Sequence, residues 1–201
     1  PHADSVRVHP TCLDPTPYLD DPAPATTEHP ASGVTLVWIG SSSTRPYLEA
    51  ILPALDKAAQ RIDKLTLKVV ADFAPHRDGP LAIEPVPWSS EVEASALRSS
   101  DIGLAPLPDD PWTRGKCGFK VLQYMAAGLP VIASPVGVQS EMVTESETGL
   151  YADREAAWIE AVQRLASDPQ RRRAMGAAGR RRMLERYTIQ HAADRVAAGL
   201  N

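Results

Sequence analysis

The chain has 201 residues, a formal net charge of -4 and 43% hydrophobic residues. That length suits one globular domain with a tail or two small ones, and the charge is too small for a disordered polyanion. A net acidic chain disfavours general nucleic-acid binding, and no apolar run reaches the ~20 residues of a membrane span. Cys12 and Cys117 are too few for a disulfide framework, so a reducing, cytoplasmic location is expected. His2, His9, His29, His76 and His191 show no metal-ligand spacing, and no metal and no cofactor are expected. The first residue is Pro1, not Met, which leads us to expect a piece of a longer protein.

Residues 1–32 carry seven prolines and several acids against one Arg7. This stretch reads as a lead-in running over a surface, with one short extended segment over 5–9. From Gly33 the pattern changes. GVTLVWIG is a short apolar run with β-branched residues, as in a strand buried on both faces. A helix over 44–62 follows, capped by Thr44, with Pro46 in its first turn and Pro53 expected to bend it or reset its start. LTLKVVA is a second strand. LAIEPVPW holds a third, ended by Pro85 and Pro87. A helix capped by Ser89 or Ser90 precedes a fourth strand, DIGLAPL. The spacing predicts a helix over 118–127, closed by Gly128 and stopped by Pro130. LPVIASP is a fifth strand, a small helical turn lies near 140–144, and TGLYA is a sixth strand. Helices over 155–166, 169–185 and 188–198 complete the chain.

Strands alternating with helices at this spacing imply an α/β domain over 33–201. Its expected form is a Rossmann-like parallel sheet with helices on both faces, followed by C-terminal helices. Ligands of such sheets sit outside the carboxyl ends of the strands, where the strand order reverses. The loops after strands 1, 3, 4 and 5 are therefore the places to look.

Gly40, Ser41, Ser42, Ser43 and Thr44 join strand 1 to its helix. Small residues, hydroxyls and helix N-terminal N–H groups suit a phosphate; an ordinary capped turn has the same composition. After strand 4 the chain reads PLPDDPWTRGKCGFKVLQYMAAGLP. Arg114, Lys116 and Lys120 flank the start of a helix there, which suits a doubly charged anion such as a diphosphate. A solvated basic loop is the competing reading. Gln123 lies one turn beyond Phe119 and Lys120, and its amide can both donate and accept, as sugar hydroxyls require. Cys117 lies in the same loop without a base at useful spacing.

LQYMAAGLPVIASPVGVQSEMV resembles the L-E-(A/Y)-M-A-x-G-x-P-V-(I/V)-A-S-x-x-G-(G/V)-x-x-E-(M/I)-V region of GT-B glycosyltransferases, the family 4 or group 1 type. SSDIGLAPLP, TGLYA and the closing stretch from ASDPQRRRAMG resemble the family's flanking elements, so the likeness covers about 33–198. SVRVHPTCLDPTPY resembles the connection that leads into that half. The resemblance implies the C-terminal half of a GT-B fold, which holds the nucleotide-sugar donor. A further N-terminal domain would hold the acceptor. It implies transfer of a sugar from a nucleoside diphosphate sugar with retention at the anomeric carbon.

The family has a Glu at the position of Gln123, on the ribose hydroxyls, and another Glu eight residues earlier, on the donor sugar, where this chain has Gly115. The E-x7-E pair is absent at both ends. A subgroup reading G-K-x-x-(F/L)-K-(L/V)-(L/F)-(E/Q)-Y-M-A-A-G is the better likeness; in it Gly118 and Phe119 line the sugar diphosphate, and Lys116 and Lys120 supply charge. The family's Arg after strand 1 is replaced by Ser41, which leaves Arg45 to supply that charge. The base is expected beside Trp88, either stacked on it or with Trp88 as a half-buried packing residue. Glu141 matches a family Glu that caps or braces its loop.

Two rival readings remain. One is a sugar-nucleotide epimerase or phosphorylase on the same architecture. The other is a non-catalytic interaction module, which the missing acidic pair favours. The runs Arg171, Arg172, Arg173 and Arg180, Arg181, Arg182 read as a solvated helix face in preference to a contact with anionic lipid.

Overall fold

The structure is a computed structural model that describes residues 9–19, 33–73, 75 and 78–200. The lead-in residues 1–8 and 20–32 lie outside the described residues, with most of the expected extended segment and with His2, His29 and His76. Six strands form one sheet: β1 (Val34–Ile39), β2 (Leu65–Ala71), β3 (Ala82–Pro87), β4 (Ile102–Ala105), β5 (Val131–Ala133) and β6 (Gly149–Tyr151). Their order is β3-β2-β1-β4-β5-β6, and every neighbouring pair is parallel. The helices are α1 (Thr16–Leu19), α2 (Arg45–Ala59), α3 (Ser90–Arg98), α4 (Pro111–Arg114), α5 (Phe119–Ala126), α6 (Gln139–Met142), α7 (Glu155–Ala166), α8 (Pro169–Arg186) and α9 (Ile189–Leu200).

The central strands feed two cores. Leu36 and Trp38 of β1 face the core built with α2 and α7. Val37 and Ile39 face the core built with α3, α5 and α8. A strand that buries both faces has no reason to alternate polar and apolar residues, which is why β1 reads as a continuous apolar run.

Three expectations are corrected. β3 runs through Pro85 to Pro87 because it is the edge strand. Trp88 N–H bonds to Ala71 C=O, so even-numbered residues face β2, and the prolines turn their missing donors outward. α2 passes through the exposed Pro53 as one helix and ends at Ala59, short of residue 62. The lead-in does more than run over a surface. Leu13 is 6% and Tyr18 4% exposed, both in the second core, and Leu13 N–H bonds to Tyr187 C=O at 2.8 Å. The short helices α1 and α4 carry no period long enough to see in the sequence.

β1 and β4 pair at Leu36–Ile102 and Val37–Gly103 and then part. The next rung of a parallel ladder would join Ile39 N–H to Leu104 C=O. Instead the hydroxyl of Tyr124 stands between them, accepting from Ile39 N–H at 3.0 Å and donating to Leu104 C=O at 3.1 Å. The ring reaches this place only because residue 103 is glycine, where a Cβ would lie 2.5 Å from Tyr124 Cγ. Tyr124 is fully buried, and burial raises its pKa, so the hydroxyl stays a donor. Tyr124→Phe would leave a buried N–H and C=O without their bridge, at about 1–3 kcal/mol. Urea denaturation should show that loss as a lower midpoint with an unchanged slope.

Candidate functional site: the cleft where the strands part

The reversal of strand order falls between β1 and β4, and the loops after β1, β3 and β4 meet at the carboxyl ends of the strands there. α5 starts at Gly118, whose φ of +71° suits glycine and disfavours other residues. No side chain caps this helix, so its first N–H groups are open to a ligand.

Lys120 reaches into the parting. Its Nζ lies 3.3 Å from Thr44 Oγ1 and 4.5 Å from the centroid of the Trp38 ring. Burial, with a smaller contribution from the charge of Lys116, brings its pKa down to about 8. Lys116 sits between two rings, with Nζ 5.5 Å from Tyr47 and 5.7 Å from Trp112. Aromatic faces hold an ammonium without neutralising it.

The other predicted cations are engaged. Arg45 pairs with Glu49 at 2.6 Å and lies 5.4 Å from the Phe73 ring. Arg114 makes two bonds to Asp109, at 2.6 and 3.1 Å. In the serine loop, Ser42 gives its N–H and its hydroxyl to Asp72 at 2.7 and 2.6 Å, which lowers the Asp72 pKa. Ser41 N–H bonds to Thr44 Oγ1, and the Ser41 and Ser43 hydroxyls meet at 2.9 Å. Gly40 N–H continues the ladder to Val70 C=O.

A second group gathers around Glu93 on α3, a residue that sequence reasoning passed over. Glu93 Oε1 accepts from Tyr18 Oη at 2.7 Å and from Gln123 Nε2 at 2.5 Å; its Oε2 accepts from Trp88 Nε1 at 2.8 Å. Gln123 is 5% and Trp88 54% exposed. Burial and the Glu93 carboxylate raise the Tyr18 pKa. An acid in the first turn of a capped helix is an ordinary dipole partner, so nothing local marks Glu93 out. Phe119 is 41% exposed beside the cleft, and Cys117 is an exposed free thiol. A cleft of about 470 Å³ by α2 and α7 is lined by Tyr47, Pro53, Leu107, Pro108 and Trp158 among others; none of the predicted residues lines it, although the Tyr47 ring on its wall is the one that holds Lys116. Among the described residues no group of three or more His, Cys, Asp or Glu is placed to hold a metal ion, and no helix is long and apolar enough to cross a membrane.

The family model described as "Glycosyl transferase-like" matches residues 55–198. This chain belongs to that glycosyltransferase family. It has the C-terminal domain of a group 1 glycosyltransferase. The domain is 33% identical over 110 residues to D-inositol 3-phosphate glycosyltransferase of Rhodococcus opacus, a match covering 54% of this chain and 23% of that protein. Its fold matches the C-terminal domain of the group 1 family protein LpcC of Francisella tularensis with a TM-score of 0.67 at 18% identity, over 89% of this chain and all of that one. It also matches Anabaena HepE, solved with UDP and glucose, with a TM-score of 0.71 at 13% identity, over 94% of this chain and 55% of that one. The glycosyltransferase domain thus spans about half the length of that structure and about a quarter of the aligned curated relative.

The six arginines expected on a solvated face of α8 are not all solvated. Three of them serve as donors to backbone carbonyls: Arg172 to Leu165 and Ala166, Arg180 to Tyr18, and Arg182 to Glu141 and Met142. The brace at Glu141 therefore runs through its main chain.

Lys120 should titrate near pH 8, with its charge lost as pH rises. Carbon-13 NMR of the lysine ε-carbons checks this. Lys116→Ala should move the midpoint up, since it removes a neighbouring positive charge.

Proposed function

We propose that this domain binds the nucleoside diphosphate sugar donor of a retaining glycosyltransferase, with the acceptor held by a second domain. The carrying observation is the Lys120 ammonium, half-buried without a carboxylate partner among the described residues, at the N-terminus of α5 where β1 and β4 part. A diphosphate placed there would meet Lys120, Lys116 and the open N–H groups that follow Gly118.

Breaking the bond between the sugar and the diphosphate leaves negative charge on the departing oxygen. Fixed cations and amide dipoles lower the barrier by stabilising that charge as it develops. Lys116 and Lys120 are the residues in this role. Gly118 and Phe119 line the diphosphate, Gln123 and Trp88 lie toward the nucleoside, and the Gly40, Ser41, Ser42 and Ser43 loop forms the opposite wall. Binding a dianion would favour charged Lys120, so affinity falls as pH rises through 8. The exposed thiol of Cys117 suits a reducing, cytoplasmic compartment.

A binding module without transfer is the second reading. It is favoured by Arg45, Arg114 and Ser42, whose polar groups are already taken by Glu49, Asp109 and Asp72.

Titration calorimetry with UDP and GDP tests the proposal. One of them should bind, and Lys116→Ala and Lys120→Ala should each weaken binding about tenfold, the worth of one charge-assisted contact. Binding should weaken between pH 7 and pH 9. A folded chain that binds neither nucleotide would remove the proposal. In the protein joined to its acceptor half, lost transfer in the double variant supports an enzyme, and unchanged biology supports the module.

A further inference from the structure

Trp112 is 76% exposed, yet the turn that carries it is firmly built. Asp110 Oδ1 accepts from Thr113 N–H at 2.9 Å, the buried Thr113 hydroxyl donates to Pro108 C=O at 2.5 Å, and Arg114 Nε donates to Asp109 at 2.6 Å. These bonds hold α4, and none of them uses the Trp112 ring. The ring lies against the ammonium of Lys116, whose Nζ is 5.7 Å from its centroid. A second ring, that of the half-buried Tyr47 on α2, lies 5.5 Å from the same Nζ. Both distances are within the reach of about 6 Å at which an aromatic face attracts a cation. Tyr47 follows β1 and Trp112 follows β4, the two strands that part. Lys116 therefore ties one wall of the cleft to the other, and no carboxylate pairs with it among the described residues.

A lysine has a long flexible stem and loses much entropy when it is fixed. A carboxylate would fix it but cancel its charge, as Asp109 does for Arg114. An aromatic face fixes it and leaves the charge whole, because the attraction is to a quadrupole and not to an opposite charge. We propose that Tyr47 and Trp112 are positioning residues for Lys116, holding its ammonium in place and unneutralised for the diphosphate of the donor. This deepens the donor-site reading and rests on it. Both rings act through the lysine and not by stacking on the ligand. The pairing of Arg114 with Asp109 serves the same end, since it helps to fix the turn that presents Trp112.

A double-mutant cycle on the full chain, read by titration calorimetry with UDP and GDP, tests this. Tyr47→Leu and Trp112→Leu should each weaken binding about threefold, the worth of one exposed contact between a cation and a ring. Tyr47→Phe keeps a ring and should bind like the native chain. In a Lys116→Ala background each Leu substitution should change binding by about twofold or less, because no ammonium is left to position. Proton NMR checks the cage without a ligand. The ε-protons of Lys116, assigned by their loss in Lys116→Ala, should lie upfield under the two rings and move back in each Leu variant. Those of Lys120, over Trp38, should stay. For either ring, unchanged binding on Leu substitution would overturn its assignment and leave the donor reading intact. So would a full loss that persists in the Lys116→Ala background, which marks a ring that meets the ligand directly. Unshifted Lys116 ε-protons in the native chain, or Tyr47→Phe as weak as Tyr47→Leu, would do the same. Should Tyr47→Leu not fold, by circular dichroism, the cycle on the exposed Trp112 decides. A native chain that binds neither nucleotide removes the donor reading and the positioning assignment together.

Discussion

One tyrosine hydroxyl stands where a rung of the sheet would be, and the cleft begins there. Ile39 N–H and Leu104 C=O are both satisfied through Tyr124, so β1 and β4 separate without leaving a buried polar group unpaired. The separation could not be held open by apolar packing alone, since the two backbone groups would then close on each other. Tyr124 belongs to α5, so the same contact fixes the helix whose first turn faces the cleft. Gly103 is the permissive half of the arrangement, because any larger residue would push the ring out of the ladder. Lys120, one turn earlier on the helix, enters the gap thus made.

Charge in the cleft is sorted by what each cation rests on. Arg45 and Arg114 rest on carboxylates and bring almost no net charge to a ligand. Lys116 and Lys120 rest on rings and a hydroxyl. The lysines are therefore the charges left to be neutralised by something else. Desolvation makes this costly for Lys120, and its lowered pKa records the cost. In the proposed reading, a bound anion would offset that cost. Asp72 does the reverse for the serine loop: it holds Ser42 in place with the group that would otherwise meet a phosphate.

Much of the fold was legible because its signals are local. Apolar runs bounded by glycine and proline marked the six strands, and Ser89, which accepts from Val92 N–H, marked the start of α3, whereas Thr44, expected to cap α2, makes no side-chain capping bond. The exceptions have particular causes. Pro85 ends a strand only where the strand has a partner on both sides, and β3 has one. Tyr18 lies in a proline-rich stretch whose composition resembles a linker, yet its ring finds a place between α3 and α5. Of the candidate ligand contacts, Lys116, Lys120, Gly118 and Gln123 stand near one another in sequence, and their spacing alone placed them at one helix start.

Sequence by itself determined the alternation of strands and helices, the parallel sheet that follows from it, and a basic, glycine-bearing turn ahead of α5. Those depend on periodicity and on residues within a turn of one another. Only the tertiary structure decided which cations remain unpaired, that Tyr124 parts two strands, and that Glu93 comes to meet Gln123 across 30 residues of chain. Hydrogen bonds and desolvation depend on distance in space, and no pattern along the chain records which side chains the packing of helices will bring within 3 Å of each other.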